Sequence, residues 1–376
     1  MADVPTVTRS QVLANRVVAQ GLDRSGAAPD DLAGTDLGWL DSPAGSAAQA
    51  LAARLPTPAA VEVPGDWPLV WGLRGAPHRH RPGDLRALAR AAWPVDDADA
   101  AARLGGAAPQ LAAAGLAPLD ALRATAEALA DVVAGPTVKG DASTALTRAA
   151  PEACSAWCRS CGAVHVQDQL MRLAALPAGL RLEAGTSPPV LVPIDGWPGV
   201  PGRHEGGGAL VDAYLRVHGP ATPRDATVYL QTTQRVVKTG WPQGLVEVRV
   251  DGVGARPRRA WLPEDLLDGL LTAPPPDLVR LLPRSDPWLL SRDRELTVPD
   301  KARRKVLWPV LGAPGGVLVD GEIAGAWRTR AAGGRLDITV TPFDRLPARV
   351  RAAVDGEAAR VAAARAATAV RVRYET

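Results

Sequence analysis

Three cysteines in 376 residues are too few, and odd in number, for a disulfide framework, and they point to a reducing cytoplasm. Long apolar runs are missing too. Arg, Asp, Pro or Gly interrupts every stretch before the roughly 20 residues that a membrane span needs, so no membrane association is expected. The start, Met1-Ala2-Asp3-Val4-Pro5, has neither a basic beginning nor an apolar run, and no signal peptide is expected from it. No Gly-rich phosphate loop with its Lys-Ser/Thr, no strand followed by Gly-x-Gly-x-x-Gly and no Gly-x-Ser-x-Gly elbow occurs. Most NTPase, dinucleotide-enzyme and α/β-hydrolase readings lose their support. Strands and helices do not alternate as a doubly wound parallel sheet requires.

What is present is an ordinary globular balance, 47% hydrophobic and 22% charged, long enough for two or three domains and too apolar for disorder. Lysine is scarce: of 43 basic residues only Lys139, Lys238, Lys301 and Lys305 are not arginine. A GC-rich genome accounts for this, and phosphate recognition by the forked guanidinium is the functional reading beside it. A pI near 8.9 permits a nucleic-acid partner without requiring one. Eleven Trp stand against three Tyr and one Phe. Most belong in the core, with one or two able to stack on bases.

Residues 10–21 read as a helix with Ser10 as N-cap, followed by the loop Leu37–Ser46 and an Ala/Leu helix over 47–55. Residues 68–74 read as a buried strand, and helices follow over about 83–93 and 96–115. The clearest unit is 209–262: a helix, a second helix started by Thr222-Pro223-Arg224-Asp225, a third near 231–239, then a hairpin turning at Asp251-Gly252. That is the order of a winged helix-turn-helix. Residues 119–170 repeat it, with a Cys-containing stretch where the hairpin should be, and 10–74 could be a looser third copy. The C-terminal part differs: a hairpin with an Asp320-Gly321 turn, a strand over 336–340 and a long Arg/Ala helix over 347–367. The fold class predicted is α+β, with tandem winged helix-turn-helix modules, a small sheet and a C-terminal α+β cap. Four regions follow: 1–115, winged-helix-like with a candidate active-site loop; 116–200, a second module with a Cys/His wing; 201–278, a third; and 279–376, the α+β region.

The most specific spacing is Cys154-x3-Cys158-x2-Cys161-x3-His165. Two thiolates two residues apart sit on a tight turn aimed at one tetrahedral ion, with an imidazole just beyond. A structural zinc on Cys154, Cys158, Cys161 and His165 is one reading; small buried thiols beside a core histidine is the other. In Arg74-Gly75-Ala76-Pro77-His78-Arg79-His80-Arg81, five basic or hydrogen-bonding side chains fall between a strand and a helix, which suits DNA phosphates. The alternatives are a solvated turn with Arg74 in an internal ion pair, or a His-x-His metal site serving a metal-dependent hydrolase. Lys301-Ala302-Arg303-Arg304-Lys305 is either a solvated helix face or a phosphate grip through Lys301, Arg304 and Lys305. Asp41 reads as a helix cap or as a carboxylate in a cleft. Gln167 and Gln169 read as one polar strand face.

Leu73-Arg74-Gly75-Ala76-Pro77-His78, the block from Leu282-Pro283-Arg284-Ser285-Asp286-Pro287-Trp288 to Asp293, and Gly315-Gly316-Val317-Leu318-Val319-Asp320-Gly321 followed by Gly325-Ala326-Trp327-Arg328 carry a likeness in order and spacing over most of the chain. Through them the sequence resembles the AlkZ/YcaQ-like winged-helix DNA-binding proteins, which include bacterial DNA glycosylases. The resemblance implies three tandem winged helices around a small β-barrel, and excision of N7-alkylated purines or unhooking of DNA crosslinks. Such a monofunctional glycosylase uses no cofactor for catalysis, so any zinc is structural. The partner implied is double-stranded, damaged DNA, and a monomer is expected. In that family a Gln followed two positions later by Gln or Asp carries the chemistry. The local equivalent, Leu37–Pro43, has Leu40 near the first position and no Gln. Only Asp41 carries over, as a water-positioning carboxylate, and a non-catalytic DNA-binding or regulatory protein is the alternative function.

Overall fold

A computed structural model of the chain describes residues 4–56 and 63–375. Its first helix, Arg9–Ala19, starts two residues earlier than the sequence pattern predicts. Thr8, not Ser10, is the N-cap, because Thr8 and Gln11 close a reciprocal capping box: Gln11 N–H donates to the Thr8 hydroxyl at 3.2 Å, and Thr8 N–H donates to Gln11 Oε1 at 2.9 Å. The two residues ahead of that cap complete a strand, Thr6–Thr8, which pairs in parallel with Leu245–Asp251. Leu245–Asp251 also forms the expected hairpin with Arg258–Pro263, so the hairpin is part of a three-stranded sheet. Val248, Val250, Ala260 and Leu262 pack from this sheet against Val12, Leu13 and Val17 of the first helix.

Two compact units make up the fold, each gathered from separated stretches. The first unit takes residues 1–64, 212–229 and 242–376; the second takes 65–211 and 230–241. In the first unit the C-terminal region forms a five-stranded sheet: Val279–Leu282, Gly315–Val319, Glu322–Ala332, Arg335–Pro342 and Ala369–Tyr374, in that order. The last pairing is parallel and the others antiparallel. Asp320 and Gly321 turn the predicted hairpin with φ of 51° and 84°, the left-handed pair that a two-residue hairpin loop demands. Gly315 is fixed by space: a Cβ there would meet Leu282 O and Trp327 Nε1, both at 2.4 Å, and that indole N–H donates to the same Leu282 carbonyl at 2.8 Å. The helix Ala348–Ala364 covers the sheet, burying Val350, Val354, Ala358 and Val361 against Leu281, Val317, Ile338 and Val340.

Two arginine–aspartate pairs lie inside this unit. Arg54 and Asp286 are both 0% exposed, joined by bonds of 2.7 and 2.9 Å. Arg54 also donates to the carbonyls of Gln20 and Ala50, and its guanidinium stacks on Trp39. Asp286 caps the short helix Pro287–Leu290 through Trp288 N–H. Arg16 pairs equally deep with Asp293. Beside it His218 packs its ring on Tyr214 and Tyr229.

The second unit carries a sheet in which Pro77–Arg79, Leu69–Trp71, Leu180–Leu182, Val190–Pro193 and Thr137–Val138 pair antiparallel in that order. Its core is built on the helix Pro118–Val132, whose Leu122, Ala126 and Leu129 meet Leu146, Leu170 and Met171 of the helices Lys139–Ala149 and Asp168–Ala175. The stretch expected to hold a hairpin does so, as Ser155–Cys158 and Ala163–Val166. Gln167 and Gln169 do not share a strand face: Asp168 is the first residue of a helix and Gln167 its N-cap. No helix among the described residues is long and apolar enough to cross a membrane.

Three histidines are buried as neutral rings. Burial, with the neighbouring Arg16 charge opposing protonation more than Asp293 favours it, lowers His218 to about 3. Burial, His80 and Arg74 lower His78 to about 3. Burial and Arg81 lower His80 to about 4.

Two predictions follow from these buried groups. Asp286→Ala leaves Arg54 charged and unpaired in the core, and is expected to lower the unfolding free energy by about 3–5 kcal/mol. In chemical denaturation the charge-free pair Arg54→Met/Asp286→Leu is expected to lose less than the single variant; an equal or larger loss contradicts the buried-pair account. For pH, an unfolded chain protonates its histidines near 6.5 while the folded rings stay neutral to about 3–4. The unfolded state therefore binds more protons across that window, and stability falls as pH drops from about 6.5 toward 4, by up to about 1.4 kcal/mol per pH unit for each ring. Denaturation midpoints that stay flat between pH 6.5 and 4.5 would rule out neutral burial.

Candidate nucleic-acid interface

Four stretches of the first unit that are distant in sequence open onto one groove of about 910 Å³: residues 222–225, 253–258, 292–295 and 301–308. Each is fixed by local chemistry. Thr222 and Asp225 cap the helix Pro223–Leu230 reciprocally, Thr222 N–H donating to Asp225 at 2.9 Å and Asp225 N–H to the Thr222 hydroxyl at 3.2 Å, as the Thr-Pro-Arg-Asp pattern predicts. Asp300 caps the helix Lys301–Leu307 by accepting from Arg303 N–H at 2.8 Å. Trp308 is held by its indole N–H on Leu289 O, and Arg294 stacks on its ring at 4.7 Å.

Seven cationic side chains line the groove, Arg224, Arg258, Arg292, Arg294, Lys301, Arg304 and Lys305, against the carboxylates of Asp225, Asp293 and Glu295. Those carboxylates are engaged: Asp293 with buried Arg16, Asp225 with Arg258, and Glu295 with Arg304 at 3.7 Å. Arg16 and Arg258 beside Asp293 keep its carboxyl ionised, below the usual range, against the cost of burial. The surplus is positive, and such a surface attracts a polyanion. Lys301 and Lys305 are exposed and one helical turn apart, which fits both readings of the basic run, a solvated helix face and a phosphate grip. Arg304, between them, donates to Val298 O at 2.9 Å and Pro299 O at 2.7 Å, and so braces the start of its own helix. The sequence reading missed Arg224, Arg258, Arg292 and Arg294.

The Arg74–Arg81 turn belongs to the second unit and differs from expectation. His78 and His80 are 2% and 1% exposed, and burial keeps both uncharged, so neither is placed to contact a phosphate. The His78 Nδ1 lies 2.8 Å from Ala76 O within the turn. Arg74 takes a left-handed backbone (φ 62°), and its carbonyl accepts from the Gln169 amide at 3.4 Å. Arg79 donates to Trp67 O and Arg81 to Asp84, both half-buried.

Asp41, the candidate catalytic carboxylate, follows the short strand Trp39–Leu40 in the first unit. It is 8% exposed, and its Oδ1 accepts from Ala47 N–H at 3.2 Å, at the start of the helix Ser46–Ala52, whose own N-cap is Gly45. It does not line the groove. Of the four proposed zinc ligands, three come together: donor atoms of Cys158, Cys161 and His165 lie within 4.8 Å of one another. Cys154 does not join them. Its side chain is in the core of the second unit, facing Ala121 O, and burial raises its thiol above the usual value.

The AlkZ-like DNA glycosylase profile matches residues 32–364. Among solved structures, the Streptomyces sahachiroi DNA glycosylase AlkZ superposes with a TM-score of 0.73 over 98% of this chain and 100% of that one, at 22% identity. No curated protein matches the sequence. With all but the ends of the chain inside the family match, the protein belongs to the AlkZ-like DNA glycosylase family.

Proposed function

We propose that the protein is a monofunctional glycosylase that excises alkylated purines, N7-substituted or crosslinked, from double-stranded DNA and acts as a monomer. The observation that carries the DNA-binding part is the surplus of cations in the groove around Lys301, Lys305 and Arg224. On this reading the helices and hairpins within 119–170 and 209–262 serve as winged-helix modules.

The chemistry needs little from the protein. Alkylation at N7 makes the purine cationic and a good leaving group. As the glycosidic bond breaks, positive charge builds on the sugar. A carboxylate near the anomeric carbon stabilises that charge and orients the attacking water. Asp41 is the proposed carboxylate. A second reading, DNA binding without catalysis, is favoured by two observations: Asp41 is already engaged by Ala47 N–H, and Leu37–Pro43 has no Gln to share its task.

Two experiments test this reading. The first is equilibrium binding to undamaged and N7-methylguanine duplexes across a salt series. Log affinity is expected to fall linearly with log salt, and Lys301→Ala/Lys305→Ala to lower the slope by about 2, one per lost phosphate contact. A slope unchanged in that variant removes the groove from the interface. The second is strand cleavage of N7-methylguanine duplex after alkali, by wild type and Asp41→Asn, in single turnover. Cleavage by wild type and a loss of at least about 100-fold in Asp41→Asn are expected for a group that acts on the developing charge. No cleavage by wild type selects the binding reading for that lesion, and equal cleavage by both takes Asp41 out of the reaction.

A further inference from the structure

The hairpin of the second unit is anchored by hydrogen bonds at its base. At its base Val166 is buried, its N–H donating to the Thr147 hydroxyl at 3.0 Å, and Gln167 N–H donates to Cys154 O at 3.0 Å. Among the described residues the two strands pair only with each other, and a two-stranded ribbon is at best marginally stable in water. Apolar packing does not make up the difference. Trp157 and Val164, direct cross-strand partners, are 67% and 58% exposed.

The register puts the remaining side chains on the opposite face. Cys158 pairs with Ala163 and His165 with Ala156, so Cys158 and His165 both alternate away from the Trp157–Val164 face. The turn between the strands, Cys158-Arg159-Ser160-Cys161-Gly162, closes with Gly162 N–H on Cys158 O at 2.9 Å. Gly162 has φ 62°, which brings Cys161 back over Cys158. The donor atoms of Cys158, Cys161 and His165 meet within 4.8 Å. His165 Nδ1 lies 2.7 Å from Val166 O, the arrangement in which Nδ1–H is held by a carbonyl and Nε2 is left as the ligand atom.

We propose that Cys158, Cys161 and His165 bind one zinc ion, with solvent as the fourth donor, and that this ion clips the tip of the hairpin. Two thiolates and an imidazole are donors that zinc takes, as three protein ligands with the fourth position open to water, and thiolate ligands disfavour magnesium, calcium and manganese. The Ser160 hydroxyl lies 3.1 Å from Cys158 Sγ, within the turn that carries both thiols. Cys161 is exposed and opens on the cavity beside Ser143 and Thr147, which leaves the fourth position to water. Cys154, in the core, takes no part, and the site is independent of any role of Asp41.

The test uses the full chain, produced in zinc-supplemented medium and passed through a desalting column under reducing conditions. Elemental analysis is expected to find one zinc per chain in wild type and in Cys154→Ala, and none in Cys158→Ser/Cys161→Ser. Because a cysteine variant can fail to fold, cobalt is also titrated into chelator-stripped wild type. A visible absorption of tetrahedral cobalt with thiolate charge transfer, saturating at one equivalent and displaced by zinc, supports the site. Protein that leaves the column without zinc, and shows no such absorption while all three thiols titrate as reduced, overturns it. Loss of zinc from Cys154→Ala with unchanged circular dichroism overturns the ligand set.

Discussion

Two guanidinium–carboxylate pairs in the dry interior decide how the first unit closes. Arg16 comes from the first helix and Arg54 from the turn after the helix Ser46–Ala52, Asp293 and Asp286 from a segment more than two hundred residues later. A buried ion pair adds little net stability, because desolvation offsets most of the attraction; leaving one partner alone is what costs. Such a pair therefore acts on which arrangement forms. Any packing that separates Arg54 from Asp286 strands two charges in the core, so the N-terminal helices and the 286–293 segment have one acceptable register. Arg54 is satisfied further by Gln20 O, Ala50 O and the face of Trp39. The groove inherits this order: with Asp293 drawn inward to Arg16, Arg292 and Arg294 on either side of it are left among the groove's walls.

The same constraint explains which parts of the sequence were readable. Hairpins with Asp-Gly turns, the Thr-Pro-Arg-Asp helix start and the long Arg/Ala helix stand close to where periodicity and turn chemistry put them, since local rules decide them. The blocks that carry the family resemblance are architectural. Asp286 is a cap and an ion-pair partner; Asp320-Gly321 supplies left-handed turn residues; Gly315 makes room for Trp327. They speak for the scaffold and say little about chemistry. The groove was legible only at Lys301–Lys305, because its other cations come from three further stretches that sequence distance hides. The histidines misled for a related reason. His78 and His80 look polar among arginines, yet strand alternation and the turn put both rings inside. Thr8 taking the cap from Ser10 is a smaller case, in which a reciprocal pair with Gln11 outweighs a lone hydroxyl.

The arginine richness also needs sorting before it is read as affinity for DNA. Arg24 pairs with Glu357 and Arg9 with Glu322. Arg360 donates to backbone carbonyls of residues 52–56, and Arg280 to those of Leu22 and Val279. These guanidinium groups finish helix ends and cross-link elements, which five fixed donors do well and an ammonium does poorly. They contribute nothing to a phosphate track. Two of the chain's four lysines, by contrast, sit one turn apart and exposed in the groove, where a mobile point charge suits phosphates of varying position.

A cationic groove also bears on catalysis. On the proposed reading it draws in the sugar–phosphate backbone but repels the positively charged N7-alkylated base and raises the energy of a developing oxocarbenium ion. A glycosylase acting on such lesions needs a local negative potential set apart from its phosphate contacts. The carboxylates of the groove do not provide it, since Asp293, Asp225 and Glu295 each face an arginine. Asp41 stands outside that set. Its Oδ1 accepts from Ala47 N–H at 3.2 Å. On the proposed reading, the separation of Asp41 from the groove is what the charge distribution requires. The missing Gln then bears on how water is positioned, and the counter-charge does not depend on it.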